Sequence, residues 1–86
     1  MNIGLNQNVE INGQKYHIQI ENKELKKTFE VRVYVQGRII FQKHHSYQEV
    51  LEKSENKETT QNLVQEELKK LFFLTKVAIE RGKIKI

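Results

Sequence analysis

Residues 9–45 alternate apolar and polar side chains with a period of two, then give way to one long segment of helical periodicity. Alternation marks strands with one buried and one wet face, and a 3.6-residue period marks a helix with a single apolar stripe. The order therefore predicts an α+β domain in which an antiparallel sheet of about four strands, formed as two hairpins, packs against a long C-terminal helix, with a short helix between. The first hairpin is read from Val9, Glu10 and Ile11, the pair Asn12-Gly13, and the run 14–21. Asn-Gly supplies the positive φ of a type I′ turn. With that pair in the loop, Val9 faces Tyr16, and Val9, Ile11, Tyr16, Ile18 and Ile20 share one face while His17, Gln19 and Glu21 share the other.

Residues 22–27 read as a charged connection, and 28–36 as the most regular strand, with Phe29, Val31, Val33 and Val35 on the buried side and Glu30, Arg32 and Tyr34 on the reverse. Two turns fit the next few residues. A type II′ turn at Gly37-Arg38 would send Ile40 into the core and leave Phe41 beside Tyr34 outside; a three-residue loop over 36–38 would make Ile39 and Phe41 the core residues. The second is favoured, because an exposed Tyr-Phe pair would be a sticky patch. Ser46-Tyr47-Gln48-Glu49 has the form of a capping box that opens a short helix ending near Lys53. From about residue 57 to 81, Val64, Leu68, Leu71, Phe72, Thr75, Ala78 and Ile79 fall on one helical stripe, with Gly82 as the stop. Such a helix is ~37 Å long against a four-strand sheet ~19 Å wide, so it overhangs unless it runs along the strands. The tail 83–86 is expected to be a short edge strand or frayed.

With 86 residues, 37% of them hydrophobic and 30% charged, the chain is read as one domain with a small core, which oligomerisation would help to stabilise. No cysteine is present, so there is neither a disulfide framework nor thiolate chemistry, and a reducing compartment is expected. The first eight residues have no basic and apolar leader, and no apolar run approaches the ~20 residues of a membrane span. The reading is a soluble, cytoplasmic protein without a membrane partner. Fifteen Lys and Arg against eleven Asp and Glu give a net charge of +4, basic enough to allow nucleic acid without implying it.

Two apolar residues break the helix pattern. Phe73 and Val77 point away from the core stripe, among Lys69, Lys76 and Glu80, and at i,i+4 spacing they form an anchor for a second copy or another protein. His17, His44 and His45 lack a cysteine or carboxylate at ligand spacing, so no metal and no cofactor is expected. Instead His17, Gln19, Glu21, Arg32, Tyr34, Lys43 and His44 are read as an outer sheet face able to meet a ligand or, with Lys15, single-stranded nucleic acid. No catalytic set can be assembled: Ser46 is used as a cap, Thr59 and Thr60 lie at a helix start, and the carboxylates are scattered over polar faces. The chain is expected not to be an enzyme.

The string Leu5-Asn6-Gln7-Asn8-Val9, then Gly13, then Tyr16-His17-Ile18-Gln19-Ile20-Glu21, then Gly37-Arg38-Ile39-Ile40 and Ser46-Tyr47 resembles a family of small uncharacterised bacterial proteins. Their pattern reads N-T-x-V, Y-H-V-Q-T-E-D, G-x-I and S-Y before a C-terminal helix. The likeness spans residues 5–82, departing from the pattern at Ile20 and Asn22 and lacking the family's Gln-His-Lys helix stretch. It implies bacterial origin and a sheet-plus-helix module, nominates His17, Gln19 and Glu21, and brings no activity with it. The expectation is thus a non-enzymatic interaction or regulatory module that forms a homodimer through its C-terminal helix. The alternative is an RNA- or DNA-binding domain using the outer sheet face; its element order resembles a double-stranded RNA-binding domain that lacks the first helix.

Overall fold

The structure, a computed structural model, describes residues 3–85. Four strands, β1 (Leu5–Ile11), β2 (Gln14–Lys23), β3 (Thr28–Val35) and β4 (Arg38–Ser46), form an antiparallel meander in the order β1-β2-β3-β4. A short helix α1 (Gln48–Glu52) and a long helix α2 (Lys57–Glu80) complete the α+β fold. No helix among the described residues is long and apolar enough to cross a membrane.

The first hairpin follows the Asn-Gly reading. Val9 lies opposite Tyr16 and Ile11 opposite Gln14, and Asn12 and Gly13 take φ of 53° and 81°. The second hairpin corrects both expected turns. Its loop is Gln36-Gly37, with φ of 51° and 77°, and Val35 faces Arg38. A type I′ turn matches the strand twist so well that Gln36 is held left-handed despite its Cβ. Gln36→Asn is therefore expected to raise stability by about 0.5–1 kcal/mol in denaturant titrations, because asparagine occupies that region at lower cost.

A bulge follows the turn: Tyr34 faces Ile39 but Val33 faces Phe41, which leaves Ile40 as the extra residue. Ile39 points outward and is 48% exposed, against the expectation that it enters the core, while Phe41 and Ile40 both pack against the core. Beyond the bulge, Phe41, Lys43 and His45 lie opposite Val33, Val31 and Phe29 on the helix side, so Gln42 and His44 take the outer side. The connection between β2 and β3 is shorter than expected. Asn22 and Lys23 continue β2, and a 3-10 turn, Glu24–Lys26, closes through Lys27 at φ 50°.

Ser46 does not form the expected capping box. It ends β4 opposite Thr28, and Tyr47 stands at the N-cap of α1 without a side-chain cap. Packing sets that start instead: Tyr47 is buried, its ring centroid 4.8 Å from that of Phe29, and its hydroxyl donates to Asn22 Oδ1 at 2.6 Å. Burial pushes the Tyr47 phenol above its ordinary pKa, which keeps it a donor. Asn56 caps α2 by accepting the Thr59 N–H at 2.8 Å. Val64, Leu68, Leu71, Thr75 and Ile79 are buried against Ile18, Ile20, Phe29, Val31 and Val33 of the sheet, as the helical stripe requires. At 1.5 Å per residue the helix is ~36 Å long, most of the 43 Å long dimension of the molecule.

The helix closes at Gly82, φ 72°, where the Gly82 N–H donates to Ile79 O at 3.1 Å and the Lys83 N–H to Ala78 O at 2.9 Å. This paired pattern reverses the chain and buries Ile84 in the core. The tail is thus neither strand nor frayed as far as Ile84; Ile86 lies outside the described residues.

Candidate functional site

Strand register brings His17, Gln19, Glu21, Arg32, Tyr34 and His44 onto one face, away from α2. His17 lies opposite Tyr34, Gln19 opposite Arg32, Glu21 opposite Glu30, and Glu30 opposite His44. Lys43 does not join them. It faces Val31 on the helix side, since the bulge shifts every later residue of β4 by one.

Two arrangements organise this face. His17 is held between two asparagines of β1, its Nδ1 2.8 Å from Asn8 Oδ1 and its Nε2 2.8 Å from Asn6 Oδ1, with its ring centroid 5.8 Å from that of Tyr34. Both ring nitrogens are occupied, and no group of three or more potential metal ligands exists among the described residues. The second arrangement centres on Glu30, which is only 6% exposed although it points to the open side. Arg32 donates to its Oε1, while Gln42 Nε2 and His44 Nε2 lie 3.0 and 2.9 Å from Oε2. These longer neighbours close over the carboxylate, so it is buried under polar side chains rather than in the apolar core.

Desolvation pushes the Glu30 carboxyl up, but the hydrogen bonds from Gln42 and His44 and the charges of Arg32 and Lys23 outweigh it and hold the group below its ordinary value. In turn the Tyr34 hydroxyl and the Glu30 carboxylate hold the Arg32 guanidinium above its ordinary value. A carboxyl lowered in the folded state contributes stability above the unfolded carboxylate pKa, which is lost as pH falls through the folded one. Arg32→Leu removes one of the lowering charges. The stability gap between wild type and this variant is expected to be widest near neutral pH and to narrow on acidification, as measured by urea titrations across the acid range.

The electrostatics of this face limit what it can hold. Lys15, Lys23 and Arg32 are matched by Glu10, Glu21 and Glu30, with Lys23 Nζ 3.1 Å from Glu21 and Arg32 engaged by Glu30. Three cations against three anions leave no field to gather phosphates. An open cleft of about 430 Å³ lies where the two turns approach, lined by Lys15, His17, Tyr34 and Gly37 among others. A planar group could rest on Tyr34 there, though Glu10 accompanies Lys15 in the same wall.

The helix carries the second surface. Phe73 is 60% exposed and Leu74 49% exposed, with half-buried Val77 one turn on. Lys69 is exposed beside them, and Lys76 is drawn over the Phe72 ring, its Nζ 5.2 Å from the centroid. Leu74 was not among the expected residues. Its helical angle lies about 90° from the centre of the core stripe, at 100° per residue, so the pattern alone puts it at the border. A link that the sequence did not suggest joins the two layers: His45 Nε2 donates to Glu67 at 2.7 Å and ties β4 to α2.

Comparison of the chain with protein-family models, with curated proteins and with solved structures finds no match. The likeness to the small bacterial family therefore rests on the quoted motifs alone.

Proposed function

We propose that this chain is a self-associating interaction module with no chemistry of its own, working in the cytoplasm through the C-terminal half of α2. The observation that carries this reading is the contiguous exposure of Phe73 and Leu74 beside Val77, on a helix whose other large apolar side chains are buried or half-buried. Exposed aromatic and aliphatic side chains in one patch are costly in a monomer of this size and are the usual anchors of an interface. The enclosed, ionised Glu30 suits a structural ion rather than a proton-transfer group near neutral pH. Binding of RNA or DNA by the outer sheet face draws less support, because that face has matched charges and Lys43 lies on the other side. The test is the mass in solution by light scattering over a range of concentrations, for wild type and for Phe73→Glu. A dimer that the substitution converts to a folded monomer supports the reading; a wild-type monomer throughout, or a dimer indifferent to the change, overturns it.

A further inference from the structure

The helical layer is electrically divided. Residues 47–67 carry six glutamates and two lysines, whereas 68–85 carry six lysines or arginines and one glutamate. The apolar patch lies in the basic half, where Phe73 has Lys69, Lys70 and Lys76 within one helical turn on either side. The acidic half contains the counterpart. Between α1 and α2 opens a cleft of about 390 Å³, with Val50 and Leu63 as its apolar lining and Lys53, Glu66, Glu67 and Lys70 around it. Knob and cleft thus lie on the same helical layer, some ten residues apart along α2, in halves of opposite net charge, although the rim of the cleft itself is mixed, two lysines with two glutamates.

We infer that the occupant of the Val50–Leu63 cleft is the Phe73–Leu74–Val77 patch of a second copy of this chain, the two α2 helices running antiparallel. This rests on the self-association proposed above and names its partner surface. A two-fold axis crossing α2 near Lys70 brings residues 73–77 of each copy opposite 63–67 of the other, so both knobs and both clefts are used at once. The same operation sets each basic half on an acidic half, and like charges meet at the axis, between the two copies of Lys70. A parallel pair, or one that laps only the basic ends, would instead place like charge on like. His45, bonded to Glu67, keeps one wall of the acidic half fixed to the sheet.

Because the chain has no cysteine, the arrangement can be read by thiol cross-linking on the whole protein. Lys53→Cys marks the cleft and Val77→Cys marks the patch, and the reagent should be no longer than the about 8–10 Å between packed helices. An equimolar mixture of the two variants should give a cross-linked dimer of unlike chains, while neither variant alone should, since the axis near Lys70 sets the two 77 positions about 21 Å apart along the helix. Self-association should also weaken as salt is raised. Cross-linking of Val77→Cys alone would mean that the basic ends meet and would overturn the antiparallel arrangement. Failure of every combination, with light scattering still reporting a dimer, overturns the cleft as the docking site while leaving self-association standing. Should Phe73→Glu leave the dimer intact, the reading of α2 as the interface fails instead.

Discussion

Phe29→Ala is expected to lower the stability of the folded chain by about 3–5 kcal/mol. Phe29 is fully buried, lies opposite His45 in the sheet and stacks on Tyr47, so its ring fills the corner where β3, β4 and the start of α1 meet. Truncation leaves a cavity bounded by groups that cannot collapse into it. Tyr47 is pinned through its hydroxyl to Asn22 and through its backbone N–H to Lys27 O at 2.9 Å. In a chain of this length the loss corresponds to a fall in Tm on the order of 20 °C, and calorimetry of the variant beside Phe29→Leu measures it. A fall no greater than that of Phe29→Leu would show that the corner repacks.

For Phe73→Glu the expected change is in association, not in folding. The ring is 60% exposed, so its loss removes little from the core of the single chain. In the proposed dimer each copy contributes one ring, and burial of a phenyl side chain is worth about 1.5–3 kcal/mol. Loss of both, with a carboxylate brought to a site that must be dry, weakens dimerisation by about 100-fold or more. Phe73→Ala should weaken it less, because it removes the contact without adding a charge. Lys69→Ala, at the rim, should act mainly through the salt dependence. Sedimentation at several concentrations with unchanged far-ultraviolet circular dichroism separates these outcomes from unfolding.

Periodicity carried much of the architecture. The Asn12-Gly13 turn, the face of β3 and the core stripe of α2 could be read residue by residue, because each depends on local geometry alone. The second turn could not. Gln36 carries no signal for left-handed backbone, and nothing in residues 36–41 announces that Ile40 will be extra in its ladder. The two-residue turn set Ile39 outward opposite Tyr34, and the bulge after it put Lys43 on the helix side. Alternation also tells which face a side chain takes but not how deep it lies, so Glu30 could be placed on the outer face and yet not be recognised as enclosed by Arg32, Gln42 and His44. Ser46 was legible as a cap by its motif; pairing with Thr28 and the burial of Tyr47 outweighed it. The cleft beside Leu63 arises from α1 folding back on α2, a tertiary event with no local signature.

The neighbour-only strand order has a kinetic meaning. Each strand finds its partner across a turn of two residues, or across the short 3-10 turn after Lys23, so no long loop must close before the sheet begins to zip. Such low contact order favours rapid folding, and the absence of proline removes the slow isomerisation that delays many small domains. The helix, whose core stripe needs the finished sheet as its floor, is then the last part to gain its stability. The surface proposed for self-association is thus assembled at the end of folding, an order that would keep Phe73 from pairing chains that are still incomplete.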